Sequence, residues 1–320
     1  MIREDGVLVR VPASTANLGP GFDTLGLALS LHLWIGMKPA EKTVVHMYGD
    51  HLGGLPNNED NLIVKVAYRL FREAGQEIVP LQVDVYSEIP LTRGLGSSAT
   101  AIIGALFAAN ELLGEPLSKQ QLFDMATNME KHPDNVGASL YGGLLVAAWD
   151  GMQAHGLSLM PDPSLTTVVA VPRFHLETKK ARSVLPERYE LKDVVFNVSR
   201  SSLLAAALAT GQYDQLSIAM QDRVHQPYRA PLVPGMEEVL QEAVHHGALG
   251  AALSGAGPTV IALAKREEAS VHALIAFMKE TLSRHGVEAD VFQLDPCNEG
   301  AVRLEGQASD IHTHIPVSSS

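Results

Sequence analysis

The stretch that most restricts the fold runs from residue 90 to residue 100, PLTRGLGSSAT, where two glycines and two serines stand between a proline-bounded loop and a long apolar segment. Beyond it Ala99, Ile102, Ile103, Leu106 and Leu113 recur at helical spacing, which places the serines at the N-terminus of a buried helix. Such a turn suits an anion: glycine lets backbone N–H groups approach closely, and the helix end adds roughly half a positive charge. Two named phosphate motifs do not fit. No lysine follows Gly96, as a P-loop requires. The letters Gly94-Leu95-Gly96-Ser97-Ser98-Ala99 match the dinucleotide fingerprint, but the acids that should reach a ribose, Glu111 and Glu115, fall at the end of the same helix. A phosphate cradle and a tight turn with serine caps both remain open.

With 320 residues, 46% apolar and 19% charged, the chain can bury a core large enough for two lobes around a cleft. Its 24 basic and 36 acidic residues give a formal charge of -12, which argues against nucleic acid or an anionic membrane as the main partner. Any bound anion must therefore meet a local positive site. The single cysteine, Cys297, excludes an intrachain disulfide, and MIREDGVLVR lacks the apolar core of a secretory signal, so a cytoplasmic protein is expected. Apolar runs such as GALGAALSGAGPTVIALA are broken by Gly, Ser and Pro, and none reads as a membrane span.

Along the chain, GVLVRVPAS, LSLHLWIGMKP and KTVVHMYG read as strands, DNLIVKVAYRLFREAG as an amphipathic helix, and LQVDVYSEI as the strand leading into the glycine turn. Ser118 with Gln121 forms a capping box for a further helix, which Pro133 stops near His132. Between Asp150 and Ser164 the composition shifts to Gly, Pro, Asp and Ser, which sets a lobe boundary: domains over 1–160 and 161–300, then a tail over 301–320 whose end, SDIHTHIPVSSS, reads as poorly packed. The second half reads as a strand over 166–171, helices across 178–247, strands ALGAALS and PTVIALA, a helix over 267–285 and a strand VEADVFQL. Without the extra helices the order is βαββαβ, a ferredoxin-like arrangement, so the fold class is α+β with two lobes.

Two more segments carry related chemistry. VPASTANLGPGFDTLGLAL (11–29) places Asn17, Asp23 and Thr24 in a Gly/Pro loop after the first strand, and LSGAGPTVIAL (253–263) places a second glycine turn between late strands. Each alone is an ordinary turn. Together with PLTRGLGSSAT they resemble the three ordered motifs of the GHMP small-molecule kinases, and VPASTANLGPGFDTLGLAL, HPDNVGASLYGG and HQPYR are most similar to the members that phosphorylate homoserine. The resemblance implies an N-terminal lobe like a ribosomal-protein domain, a ferredoxin-like C-terminal lobe, and ATP in the cleft between them. It also implies transfer of the γ-phosphoryl group to the hydroxyl of L-homoserine, giving O-phospho-L-homoserine in threonine biosynthesis. A homodimer is an expectation of the family alone.

By the same resemblance Pro90, Leu91, Thr92, Arg93, Gly94, Leu95, Gly96, Ser97, Ser98, Ala99 and Thr100 wrap the ATP phosphates, with Ser97 and Ser98 stabilising the transferred group. Ser98 and Glu130 would hold Mg²⁺, a cation that prefers oxygen ligands, and Asn61 stands where the family holds adenine. Read without the family, Glu130 is a helix-terminal carboxylate beside Lys131, and Asn61 a helix-start asparagine. Homoserine is a zwitterion, so its pocket needs a cation for the carboxylate and an anion for the ammonium. Thr178 and Arg182, one helical turn apart, supply the first together with Arg229; Asp23 supplies the second or else partners the hydroxyl, with Asn17 and His132 beside it. The plain alternatives are surface arginines and a histidine that merely ends a helix. The pairs His245/His246 and His312/His314 lack metal-ligand partners at convincing spacing.

Many GHMP relatives carry an aspartate seven residues before a Gly-Gly pair as catalytic base. Counting back from Gly142 gives Asn135, whose amide cannot take up that proton. Asp134 is adjacent, but on a regular backbone its side chain turns away from that spot. Phosphoryl transfer passes through a loose transition state, so positioning and charge neutralisation can carry it. The expected route therefore has no side-chain base, with Asn135 orienting the hydroxyl. The competing functions are a GHMP kinase for a neutral alcohol or sugar, and a catalytically inactive nucleotide-binding regulator.

Overall fold

A computed structural model of the chain describes residues 2–315. Its first lobe is built on a long antiparallel pair, β1 (Val7–Asn17) and β2 (Gly21–Pro39), both largely buried and therefore near-continuous in apolar residues. There follow β3 (Val44–Tyr48), α1 (Leu62–Glu73), β4 (Leu81–Ser87), α2 (Ser97–Leu112), α3 (Lys119–Glu130), α4 (Asp134–Tyr141), β5 (Leu144–Trp149) and β6 (Ala154–Leu159). Strand β2 pairs with β4 along its second half and with β5 along its first, so the sheet divides where the site is built. Helices α2 and α4 lie on β1 and β2, with α1 and α3 flanking α2. Helix α2 is buried along most of its length, and Gly104 lets it approach β2: a Cβ there would stand 2.7 Å from Ile35 Cδ1.

The second lobe runs β7 (Leu165–Pro172), α5 (Thr178–Ser183), α6 (Leu191–Thr210), α7 (Leu216–Ala219), α8 (Gln226–Arg229), α9 (Met236–Glu242), β8 (Ala248–Leu253), β9 (Val260–Lys265), α10 (Glu268–Arg284) and β10 (Ala289–Leu294). Its four strands form an antiparallel sheet in the order β10-β7-β9-β8, with α9 and α10 packed on it. This is the βαββαβ arrangement read from the sequence, with the extra helices inserted after β7. No helix among the described residues is long and apolar enough to cross a membrane.

Three expectations are corrected. The Gly/Pro loop after β1 is shorter than its composition suggests: Asn17 ends β1, and Asp23 and Thr24 already belong to β2. The turn closes through Asn17, whose Oδ1 accepts the Asp23 N–H at 3.1 Å, with positive φ at both residues. The segment 154–159, within the proposed boundary region, is a strand forming a hairpin with β5. Finally, the supposed tail is packed: Val302–Arg303 forms β11 against β1, and α11 (Ile311–His314) seats Ile311 against Leu8 and Trp34. Gly36 makes room for it, since a Cβ there would lie 2.3 Å from the Ala308 carbonyl oxygen. The rest of that expected tail, residues 316–320, lies outside the described residues.

Candidate active site

The three glycine motifs converge on one cavity between the lobes. Helix α2 begins at Gly96, whose φ of 69° is left-handed, and no side chain caps it. The serine-capped reading of this turn is therefore excluded, and the first amides of α2 are open to an anion. Gly96 is wedged tightly: a Cβ would fall 2.2 Å from Ser14 Oγ and 3.0 Å from Asn135 Oδ1. Hydrogen bonds join the motifs. Ser14 N–H donates to Leu95 O (3.3 Å), Gly255 N–H to Ala16 O (3.0 Å), and Asn17 Nδ2 to Gly255 O (2.8 Å). Ser254 Oγ donates to Gly94 O at 2.6 Å and lies 2.8 Å from Thr15 Oγ1.

Of the loop residues, Gly94, Gly96, Ser97, Ser98 and Ala99 line this cavity, as does Thr92. Pro90, Arg93, Leu95 and Thr100 do not line it and serve its framework: the Arg93 guanidinium donates to Pro172 O, and Thr100 Oγ1 to Gly96 O at 3.0 Å. Ser98 Oγ donates to Glu130 Oε1 at 2.6 Å, so the two oxygen donors assigned to a cation already meet across α2 and α3. A second, more apolar cavity of about 350 Å³ adjoins the first, sharing Thr92, Ser97 and Ser98, with Leu91 and Asn61 in its wall. The Asn61 amide is engaged at both ends: Oδ1 accepts the Ile63 N–H at 2.9 Å, capping α1, and Nδ2 donates to Pro56 O at 2.7 Å.

The charged wall lies opposite. Arg229 is 1% exposed; Nε donates to Ala181 O and Nη1 to Gly255 O, each at 3.0 Å. No carboxylate lies within 4.0 Å of it among the described residues, and burial, with Arg182 adding to it, draws its pKa down to about 10. Arg182, in the last turn of α5 below Thr178, forms a two-point pair with Asp23, at 2.6 and 3.1 Å. Both guanidinium groups lie against the Phe22 ring, at 5.3 and 5.4 Å from its centroid. Arg229 is therefore not a surface arginine, and Arg182, though its side chain is 38% exposed, is held by Asp23 at the cavity wall. Behind them His225, fully buried, accepts from Arg229 through Nδ1 (3.2 Å), so Nε2 carries the proton given to Gly19 O (2.7 Å).

On the third side Asn135 Oδ1 accepts from Ser14 Oγ at 3.0 Å. Asp134, expected to turn away, lines the cavity instead. It is the first residue of α4, where the side chain can fold back: Oδ1 accepts His132 Nδ1 at 2.6 Å and the Asn135 N–H at 2.7 Å. Burial alone would lower the His132 pKa, but the Asp134 charge and hydrogen bond, with Asp23 and Glu130 behind them, raise it above the ordinary histidine value. Asp23, His132 and Asp134 offer acceptor atoms within 4.8 Å of one another, a place for a cation. Sequence reasoning also missed Ser14, Phe22, Ser254 and His225; the segment VPASTANLGPGFDTLGLAL carried the first two but distinguished neither from its neighbours.

Comparisons with known proteins agree with this geometry. Residues 61–143 match the model of the GHMP kinases N terminal domain, and residues 204–283 that of the GHMP kinases C terminal domain. A homoserine kinase of Moorella thermoacetica is 45% identical over 92% of this chain and 99% of its own. One of Deinococcus radiodurans is 44% identical over 88% and 92%. The crystal structure of homoserine kinase from Cytophaga hutchinsonii superposes with a TM-score of 0.83 at 28% identity, covering 95% of this chain and 99% of that one. A mevalonate kinase structure from L. major, 15% identical at a TM-score of 0.68, shares the fold. With two family models, relatives matched over nearly their whole length and a site assembled from all three glycine motifs, this chain belongs to the GHMP kinases, in the group of the homoserine kinases.

Proposed function

We propose that the chain transfers the γ-phosphoryl group of ATP to the hydroxyl of L-homoserine, giving O-phospho-L-homoserine. The observation that carries this reading is Arg229: a guanidinium 1% exposed with no carboxylate within 4.0 Å among the described residues is costly unless an anionic ligand meets it. Among the described residues Arg182 is paired with Asp23 alone, so an acceptor carboxylate has Arg182 and Arg229 to bind and its ammonium has Asp23 and Asp134 nearby. A neutral sugar alcohol would leave Arg229 unmatched. Thr178 and Asn17 complete the acceptor wall.

The open amides at the start of α2, with Ser97 and Ser98, receive the phosphates, and the adjoining apolar cavity receives adenine, its wall fixed by Asn61. Ser98 and Glu130 suit Mg²⁺, because a hydroxyl and a carboxylate are hard oxygen donors. When bound, that ion neutralises phosphate charge. Asn135 orients the acceptor hydroxyl. Asn135, at the position of the family's base, carries an amide that cannot take up the proton, and a loose transition state needs little deprotonation of the hydroxyl, so transfer proceeds without a side-chain base and the proton leaves with a phosphate oxygen or water. A coupled ADP assay with ATP, Mg²⁺ and a panel of L-homoserine, sugar alcohols and mevalonate tests the reading. Homoserine-dependent ADP formation is expected, and its absence with active turnover of a neutral alcohol would refute the assignment.

A further inference from the structure

The two charges assigned to opposite ends of the acceptor are, in the structure, bound to each other. Arg182 Nη2 donates to Asp23 Oδ1 at 2.6 Å and Nη1 to Oδ2 at 3.1 Å, a fork between β2 of one lobe and the six-residue helix α5 of the other. Asp23 is aimed by its backbone: its φ of 56° is left-handed, and its N–H is held by Asn17 Oδ1. Arg182 is more open to solvent, its side chain 38% exposed at the end of a short surface helix. Arg229, against the same Phe22 ring, has no such partner. Beside the His132–Asp134 pair, the pocket therefore holds the Asp23–Arg182 fork and a guanidinium, Arg229, with no carboxylate within 4.0 Å among the described residues.

We infer that Asp23 and Arg182 form an internal latch that a ligand opens without stranding a charge only if it carries both a carboxylate and an ammonium, so that acceptor selectivity arises from exchange of this pair. The inference rests on the acceptor reading above. A zwitterion replaces the pair with two: its ammonium takes Asp23 and its carboxylate takes Arg182 together with Arg229. A ligand with a carboxylate alone leaves Asp23 stranded when it takes Arg182. A ligand with an ammonium alone takes Asp23 and leaves two guanidinium groups without it beside the same Phe22 ring. Each single-charge analogue is thus penalised twice, once for the contact it lacks and once for the contact it breaks.

The test is a mutant cycle read by calorimetric titration with 4-hydroxybutyrate, which has the carboxylate and no ammonium. Wild type, Asp23→Asn, Arg182→Gln and the double variant are compared, with ATP-analogue binding as the check on folding and Asp23→Ser replacing Asp23→Asn if the latter fails it. Asp23→Asn should bind the probe about fivefold more tightly than wild type, the scale of a half-exposed ion pair. That gain should vanish in the Arg182→Gln background. An equal gain in both backgrounds would mean simple repulsion by Asp23, and that result, no gain, or no binding by Asp23→Asn overturns the latch. Turnover of homoserine by wild type is scored separately, so failure of the acceptor reading is recognised by its own measurement.

Discussion

Gly96→Ala is the perturbation that most directly probes the phosphate loop. The backbone at φ 69° disfavours any residue with a Cβ, by about 1–2 kcal/mol. The new methyl would stand 2.2 Å from Ser14 Oγ and 3.0 Å from both Asn135 Oδ1 and Ser14 O. Ser14 cannot yield freely, because its hydroxyl bonds Asn135 Oδ1 at 3.0 Å in a buried setting; losing that bond adds about 1–3 kcal/mol. We therefore expect about 2–5 kcal/mol of lost stability, and about a 10²-fold fall in kcat/KM for ATP as the first amides of α2 move off the phosphates. Gly75→Ala is the control, with φ 64° and nothing within 4 Å of its Cβ: it should lose only the backbone contribution and keep full activity. Urea denaturation and the coupled ADP assay on both variants decide the matter. If Gly96→Ala matches Gly75→Ala in stability and keeps kcat/KM within about threefold of wild type, the loop is not wedged as described.

Arg229→Lys keeps the charge but loses the fork and its bonds to Ala181 O and Gly255 O; the KM for homoserine should rise about 10–100-fold in steady-state assays, with the KM for ATP little changed. His225 is held neutral by burial, which lowers its pKa. The unfolded chain therefore binds more protons as pH falls below about 6.5, and denaturation midpoints should drop from pH 7.5 to 5.5 more steeply in wild type than in His225→Gln; equal slopes would contradict it. Asp134→Asn should slow turnover by no more than about tenfold and leave ATP-analogue binding intact, whereas abolition of turnover would identify Asp134 as the base that the proposed route omits.

The second lobe was readable because its pattern is redundant: ALGAALS and PTVIALA are near-continuous apolar runs buried on both faces, a helix follows them, VEADVFQL closes the sheet, and their order admits few topologies. The packed end of the chain was not readable. Leu304, Ala308 and Ile311 are separated by polar residues, and what buries them is the surface offered by Leu8, Trp34 and Gly36 far away in sequence. Strand β6 escaped for a related reason: of its six residues only Ala154 is buried, so its alternation carries almost no signal. Local composition reports a face only when that face is large.

In the site, legibility followed how narrowly chemistry restricts a position. Gly94 and Gly96 stood out because no residue with a Cβ tolerates both the positive φ and the neighbours at 2.2 to 2.6 Å. Arg182 and Arg229 stood out because a zwitterion demands them, yet nothing in their spacing distinguishes a guanidinium latched to Asp23 from one buried without a partner. Asp134 was misread by treating the start of α4 as regular helix. At a first helical position the N–H groups lack intrahelical partners, and a carboxylate gains more by folding back to accept the Asn135 N–H and His132 than by projecting along the helix radius. The same preference committed that oxygen to two donors. Asp134, next to Asn135 in the chain, thus holds both His132 and the Asn135 N–H through one oxygen, a geometry that under the proposed route serves to position Asn135.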